Sequence, residues 1–228
     1  MENTMRAVAR ATVVAASLAL LAGCAADTPK SVDDRIQRAE STLADFRADP
    51  EMKWFRDHMK DARGLVIAPK VTRAGFVIGG SGGEALVLVK DKTSGKWGGP
   101  AFYNMGTASV GLLAGVDVSE IVILVMTDKA VDAMMSNNFK IGGDASVSAG
   151  PVGVGASGTI NADMVAFQRS KGVFGGLSLD GALLHPDEGA NAAYYGKPAS
   201  PADILIRHSV SNPAAAPLQQ AVTAAAAR

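Results

Sequence analysis

The chain has 228 residues, and its 22 lysines and arginines balance 22 aspartates and glutamates. A formal net charge of zero provides no general attraction for nucleic acid, so we expect no nucleic-acid partner. A hydrophobic content of 48% is enough for one folded domain and excludes a globally disordered chain.

The first residues have the features of a bacterial lipoprotein signal. Arg6 and Arg10 precede an apolar run over residues 11–22, which is shorter than the roughly 20 residues that span a bilayer but has the length of a signal-peptide core. The run ends in Leu21-Ala22-Gly23-Cys24, which resembles a lipobox. This resemblance implies that residues 1–23 are removed, that the Cys24 sulfur carries a diacylglycerol and that the new N-terminus is acylated. The alternative is an ordinary secretory signal in which the cysteine occurs by chance.

The anchor also predicts a location. Cys24 is the only cysteine of the chain, which excludes an intrachain disulfide and a cysteine-based zinc cluster. Anchoring by several acyl chains is effectively permanent, because each buried methylene contributes about 0.8 kcal/mol. Ala25 follows the cysteine, whereas an aspartate there would resemble an inner-membrane retention signal. We therefore expect an outer-membrane anchor, a tether over residues 24–30, and a domain that faces the periplasm or the cell surface.

Two helices are predicted after the tether. Ser31 is a suitable N-cap, and apolar residues follow it at spacings of three and four positions, which indicates an amphipathic helix of about 17 residues. These residues are Val32, Ile36, Ala39, Leu43 and Phe46. Asp49 and Pro50 start a second helix, which is predicted to reach Arg63 and to end at Gly64.

From Gly64 onward, short apolar runs between turn residues predict buried strands. The runs are 65–67, 76–78, 86–89 and 121–125. Residues 91–95 predict a hairpin turn that leads to Trp97. Because 22 of the 25 glycines lie between residues 64 and 181, we expect closely packed strands rather than a helical bundle.

The rest of the chain alternates between short elements. They are a helix over 128–137 capped by Thr127, extended chain over 144–159, strands at 173–174 and 177–179, and a helix over 200–207. The predicted fold is α+β, with two N-terminal helices packed on a twisted, glycine-rich, mainly antiparallel sheet that is partly closed like a barrel. We assign residues 31–210 to this domain and the Ala/Pro-rich residues 211–228 to a disordered tail, with a weakly helical tail as the alternative.

Four glycine-containing pairs of segments follow one another along this domain. They are Gly64–Lys70 with Gly75–Gly80, Trp97–Pro100 with Ser109–Gly115, Ile141–Asp144 with Gly150–Gly153, and Lys171–Gly176 with Tyr194–Gly196. Together they resemble the SYLF domain, a lipid-binding domain of bacteria and eukaryotes, over about residues 35–207. Gly98 departs from the family pattern, in which a serine often follows the tryptophan.

The resemblance implies a partner. Members of the family bind anionic lipids, which in eukaryotes include phosphoinositides, so we expect membrane lipids and in particular anionic phospholipids. Some fungal members bind or bundle actin, but an envelope protein meets no actin in its own cell, so we do not expect actin here. A protein partner is left open by the sequence.

The second helix is the predicted lipid-contact site. Residues 51–96 hold nine Lys and Arg against five Asp and Glu, which predicts a basic side. Four cations fall within an arc of about 80° on the helix, beside an apolar stripe, and two more extend the basic side. The cations are Lys53, Arg56, Lys60 and Arg63, the apolar residues are Met52, Phe55 and Met59, and the extension is Lys70 and Arg73. The alternative is a helix packed on the sheet with a solvated rim, and for the extension, plain surface charge.

Catalytic motifs are not supported. Residues 79–83 match G-x-S-x-G around Ser81, but a strand follows where a nucleophile elbow needs a helix. The same objection applies to a dinucleotide fingerprint over residues 80–85. The three histidines, His58, His185 and His208, lack metal-ligand spacing. We therefore predict no catalytic residue, metal or cofactor, and a lipoprotein with a non-catalytic lipid-binding domain. The alternative is an envelope structural or protein-interaction module on the same scaffold.

Overall fold

The computed structural model describes residues 27–75, 78–110, 115–153, 160–170, 173–175, 179 and 181–227. The predicted signal peptide, Cys24 and part of the predicted strand at 177–179 lie outside these residues. In the part of the chain that is described, no helix is long and apolar enough to cross a membrane.

A curled sheet forms the centre of the domain. Its four long strands are β1 (Gly64–Gly75), β2 (Ile78–Lys90), β3 (Trp97–Val110) and β4 (Gly115–Val125). The shorter strands are β5 (Phe139–Lys140), β6 (Val147–Ala149), β7 (Met164–Ser170), β8 (Val173–Gly175) and β9 (Leu183–Pro186). The order is β5-β9-β3-β2-β1-β4-β7-β6, and β8 also pairs with β7. Among the described strand pairs only β6 and β7 run parallel, and the sheet curls into a half-barrel, so the predicted α+β class is confirmed.

The helices cover both faces of this sheet. They are α1 (Pro29–Ala48), α2 (Lys53–His58), α3 (Asp128–Ala133), α4 (Glu188–Tyr195), α5 (Pro201–Leu205) and α6 (Ala216–Ala226). Side chains alternate along β1, so that Leu65 and Ile67 join the apolar cluster under α1, α2, α4 and α6, whereas Val66 and Ala68 join the cluster under α3 and α5. We call these two sides the α1 face and the α5 face.

The first helix starts earlier than predicted. Thr28, not Ser31, is the N-cap, and its hydroxyl accepts the Ser31 amide at 3.2 Å. Ser31 completes a capping box from the third helical position, because its hydroxyl accepts the Thr28 amide at 3.0 Å. Pro29 is therefore the first helical residue, which shortens the predicted tether.

The predicted second helix is broken into three pieces. Only residues 53–58 are α-helical, and 3₁₀ turns occupy residues 50–52 and 59–61. A 3₁₀ turn aligns side chains three positions apart, and here it turns Met52 toward Phe55 and Met59 toward Ala62 on one buried side. Burial of that stripe decides the local geometry.

The C-terminal tail is a helix, so over the described part the prediction of disorder for residues 211–228 is wrong and its helical alternative describes what is found. Leu218 and Val222 of α6 are completely buried, one turn apart, against the α1 face. The Gln219 side chain donates to the Gly99 carbonyl at 2.7 Å. The tail folds because its few large apolar residues share one helix face, and the alanines around them allow close packing.

The long strands continue past the helical layer. Helix α1 crosses the sheet, since Arg35 and Arg38 bond to Glu84 on β2 while Thr42 bonds to Glu120 on β4. We call the end where β1 and β3 begin the basal end and the opposite end the distal end. β2 has 13 residues, so its ends lie roughly 40 Å apart.

Candidate lipid-binding site

The apolar stripe of the second helix belongs to the core. Met52, Phe55 and Met59 are each 0% exposed, and the Phe55 ring packs edge-on against Phe46 and Phe167. The prediction that these residues contact a membrane is wrong for this conformation, because their side chains already fill the space under α1. The alternative, a helix packed on the sheet with a solvated rim, describes what is found.

The cations of that segment do different things. Arg56 donates to the carbonyls of Arg47 and Asp49, where it closes the end of α1. Lys53 is exposed and pairs with Asp57 one turn away. Only Lys60 and Arg63 of the four helix cations lie at the basal end of the sheet.

The two cations that were predicted to extend this surface lie elsewhere. Lys70 is opposite Glu84 on the α1 face, because the two residues are direct partners in the β1–β2 ladder. Arg73 is opposite Ser81 and Asp117 on the α5 face. Both are surface charges on different sides of β1, so the six predicted contacts do not form one patch.

A different group of cations gathers at the basal end. It combines two predicted residues with three from the end of β2 and the following turn. We call it the basal rim, and it consists of Lys60, Arg63, Lys90, Lys92 and Lys96. The Lys90 amine donates to the Lys60 carbonyl at 3.1 Å, and its amide donates to the Arg63 carbonyl at 2.8 Å. Lys92 lies 3.4 Å from Asp128, and the other described acids on this rim are Asp61, Asp91 and Asp132.

A cavity of about 420 Å³ opens beside the rim. We call it the Trp97 cavity, and its wall joins the β2–β3 turn, the start of β3 and the segment that follows α5. Its apolar lining is Trp97, Tyr195, Ile204, Val210, Pro213 and Ala216, and its polar lining includes Lys96, His208, Ser211 and Gln219. A second, smaller cavity of about 160 Å³ lies on the other side of Asp91, between Arg63 and Lys92 and an apolar floor of Val89, Val131 and Leu205.

The glycines of the Trp-Gly-Gly-Pro segment make room for the walls of the Trp97 cavity. A Cβ on Gly98 would lie 2.7 Å from Cε1 of His208, so the imidazole occupies the space that a side chain at position 98 would need. Gly99 has a φ of 102°, which strongly favours glycine.

Polar contacts of Tyr195 and His208 connect the walls of the Trp97 cavity. The Tyr195 hydroxyl donates to the Pro100 carbonyl at 2.8 Å, and burial raises the pKa of Tyr195, so that this hydroxyl remains a donor at all ordinary pH values. His208 adopts a left-handed backbone conformation with a φ of 50°. Its Nε2 lies 3.6 Å from the Asp91 carboxylate.

Asp91 supplies a fixed negative charge between the two cavities. The amide and hydroxyl of Ser94 each donate to it at 2.7 Å, and these bonds lower the pKa of Asp91. The carboxylate therefore stays ionised. It accepts the hydrogen bonds that form the β2–β3 turn, and it lies 3.6 Å from Nε2 of His208. Lys96 is exposed beside the Trp97 cavity, and Lys92 is exposed beside the smaller cavity, where it lies 3.4 Å from Asp128.

In the described residues, the motifs considered for catalysis do not adopt the geometry that their chemistry needs. Ser81 lies in the middle of β2, and its hydroxyl is 2.8 Å from the Thr107 hydroxyl, not at a strand-to-helix turn. His58 stacks on Trp54, and His185 lies 2.5 Å from the Asn137 carbonyl. In the described ranges, no group of three or more His, Cys, Asp or Glu side chains is placed to hold a metal ion.

Sequence comparison places the chain among eukaryotic relatives. A model of the Ysc84 family, described as "Las17-binding protein actin regulator", matches residues 106–225. The chain is 30% identical over 203 residues to "Protein YSC84" of Saccharomyces cerevisiae. The aligned region covers 83% of this chain and 43% of that protein. It is 29% identical over 187 residues to "SH3 domain-containing YSC84-like protein 1" of Bos taurus, covering 78% and 54% of the two chains.

These relatives are longer than the present chain. The chain spans about half the length of the curated relatives it matches. "LAS seventeen-binding protein 3" of Saccharomyces cerevisiae has 44% of its length covered at 29% identity. Of these relatives, one is named for binding Las17 and one for containing an SH3 domain. The matched residues 106–225 include Tyr195, His208 and Gln219 of the Trp97 cavity.

Proposed function

Because this chain belongs to the Ysc84 family, whose domain is also called SYLF, we propose that it is a non-catalytic module that binds an anionic phospholipid at the basal end of its sheet. The headgroup phosphate contacts the basal rim, and part of an acyl chain enters the Trp97 cavity. The observation that carries this proposal is a cavity of about 420 Å³ with a largely apolar lining that Lys96 of the basal rim borders, next to a smaller cavity lined by Arg63, Lys90 and Lys92.

The chemistry of the site suits an amphiphile. Trp97 is 5% exposed and offers a rigid apolar wall, while the exposed Lys96 lines the same cavity. A cation within a Debye length of an anionic surface contributes about 1 kcal/mol. The apolar part of the ligand supplies the remaining free energy through the surface that it removes from water.

We further propose that the protein is an outer-membrane lipoprotein of the cell envelope, anchored through Cys24. This part of the proposal depends on the lipobox-like sequence and on Ala25. Acylation supplies permanent residence on one membrane. The domain itself then only has to bind a second lipid-bearing surface, because the acyl chains alone keep the protein on the first membrane.

The test of the lipid-binding proposal uses residues 24–228 with Cys24→Ser, so that no acyl chain contributes. Sedimentation with phosphatidylcholine vesicles is compared with sedimentation with vesicles that also contain phosphatidylglycerol. We expect binding only to the anionic vesicles, and we expect it to weaken as the salt concentration rises from about 0.05 to 0.5 M, since the Debye length falls. Absence of binding to either vesicle would refute lipid binding.

Mass spectrometry of Cys24 from the native host tests the anchor separately. Lipoprotein processing predicts a chain that begins at residue 24 and carries acyl groups. A free thiol at that position would refute the anchor and leave the vesicle result unaffected.

The second candidate is a protein-interaction module. The family description and the yeast names refer to binding of Las17, which is a protein. The same basal surface can accept an acidic protein segment, because the chemistry of the rim does not depend on the carrier of the negative charge. Failure of the Cys24→Ser chain to bind any vesicle, with its fold intact, favours this second candidate.

A further inference from the structure

The distal half of the sheet has one face without covering elements in the described chain. We call it the bare face, and it consists of Thr72, Ala74, Gly80, Gly82, Val116 and Val118. These residues share the α1 face, because Thr72 pairs with Gly82 and Val118 while Ala74 pairs with Gly80 and Val116. A Cβ on Gly82 would approach only the Met105 carbonyl oxygen, at 3.9 Å, so nothing described lies above it.

The bare face is apolar and exposed. Val116 is 69% exposed and Val118 is 43% exposed, which makes them two of the few large apolar side chains open to solvent in the described chain. In the distal strand segments 71–75, 78–83, 105–110 and 115–119, the charged residues are Arg73 and Asp117. Both are register partners on the opposite, α5 face. The distal sheet is therefore amphipathic, with every described distal charge on one side.

The N-terminus of the described chain lies at the border of this face. The Asp27 carboxylate is 2.6 Å from the Arg35 guanidinium, which also lies 2.9 Å from Glu84. Glu84 is two positions from Gly82 on the same side of β2. The Arg35 guanidinium also lies 2.9 Å from Asp187, so the Asp27 side chain is fixed between α1 and the start of α4, on the β2–β3 side of the bare face, and is not part of a free tether.

Only three peptide units separate Cys24 from Asp27. A fully extended chain covers about 3.5 Å per residue, so an acylated Cys24 keeps the membrane surface within about 10 Å of Asp27. The predicted tether of residues 24–30 would have allowed free rotation of the domain. The early start of α1 and the Asp27–Arg35 ion pair remove that freedom.

We propose that the bare face rests on the bilayer that carries the Cys24 lipid, with Val116 and Val118 among the headgroups and upper acyl chains. This inference depends on the proposed anchor. The occupant is a bilayer because the end of the described chain brings the anchored membrane to this side and because no charge on the bare face has to be desolvated. The basal rim, roughly 30 Å from Gly80 and Gly82 along β2, then points away from the anchoring membrane toward a second surface.

The test places one fluorescent label on the complete acylated protein in vesicles of phosphatidylethanolamine and phosphatidylglycerol. Val116→Cys carries an environment-sensitive maleimide dye, and Ser136→Cys is the matched control, because Ser136 is exposed in the turn after α3, on the opposite α5 face and outside the basal rim. We expect doxyl-labelled lipid to quench the dye at residue 116 by roughly threefold or more compared with residue 136, because an interfacial side chain lies within about 5–10 Å of the acyl boundary. Aqueous iodide is expected to give the opposite order.

Two results would overturn this inference. One is equal accessibility to iodide at both positions with no lipid quenching. The other is a dye at residue 116 that is shielded from both quenchers and self-quenches, which would indicate a second copy on the bare face. Val118→Cys repeats the measurement if Val116→Cys fails to fold. The chain without an added cysteine reports on the anchor itself, because a dye that reacts with Cys24 would show that the proposed acylation is absent.

Discussion

Reversing three charges of the basal rim is expected to weaken binding to anionic vesicles by at least about a hundredfold. The variant combines Arg63→Glu, Lys92→Glu and Lys96→Glu in the Cys24→Ser chain. Each lost cation removes about 1 kcal/mol of attraction to an anionic surface, so the three together remove about 3 kcal/mol before the added repulsion is counted. All three side chains are exposed, so the fold is expected to survive.

A control with the same change in net charge separates a local site from general electrostatics. Lys30→Glu, Lys140→Glu and Lys197→Glu alter three exposed lysines outside the basal rim. This control is expected to reduce vesicle binding by less than about fivefold, because long-range attraction is largely screened at physiological salt. Equal loss of binding in the two triple variants would show that net charge, and not the basal rim, determines the interaction.

Filling the Trp97 cavity is the second change with a large expected effect. Ala216, the first residue of α6, lines the cavity and is only partly exposed. In Ala216→Trp the indole occupies space that the acyl chain would use. We expect vesicle binding to weaken by about tenfold, which equals about 1.4 kcal/mol and corresponds to the loss of about 60 Å² of apolar contact.

Ala224→Trp is the matched control on the same helix, because Ala224 is exposed and does not line the cavity. It should bind vesicles as the unmodified chain does. Titration with short-chain phosphatidylglycerol below its micelle concentration, followed by intrinsic fluorescence, compares the two variants. If Ala216→Trp bound with unchanged affinity while folded, the acyl chain would not enter this cavity.

Much of the sheet could be predicted from the local sequence. Apolar runs such as 65–67 and 121–125 are covered on both faces, and the turn at Asp91 forms as expected because its side chain bonds to the amides that follow. The outer halves of the strands were harder to predict, because residues such as Gly80 and Gly82 carry no side chain whose alternation could indicate a face. Their pairing is set by the neighbouring strands.

The helices show that the spacing of apolar residues within one helix does not predict what the apolar side of that helix contacts. The stripe of Met52, Phe55 and Met59 beside basic residues is equally typical of a membrane-surface helix and of a helix packed on a sheet. Nothing in local spacing distinguishes them, because the deciding partners Phe46 and Phe167 lie on other elements. The same limitation applies to α6, whose buried face depends on contact with α1 and β3.

The candidate site could be predicted only in part. The excess of positive charge over residues 51–96 was visible, and it includes Lys90, Lys92 and Lys96. Their meeting with Lys60 and Arg63 depends on the antiparallel pairing that brings the end of β2 beside the start of β1. The far wall of the cavity comes from residues more than 100 positions after Trp97, such as His208. The two glycines of the Trp-Gly-Gly-Pro segment were the one local sign that another segment packs closely against this part of β3.

Photo-crosslinking tests the central claim of lipid binding most directly. The Cys24→Ser chain is irradiated with vesicles containing a phosphatidylglycerol that carries a diazirine in one acyl chain, and the modified peptides are mapped by mass spectrometry. We expect adducts within residues 91–99 and 204–219, the two walls of the Trp97 cavity, and we expect excess unlabelled phosphatidylglycerol to reduce them. If the chain binds the vesicles but neither segment carries an adduct, the acyl chain does not enter this cavity.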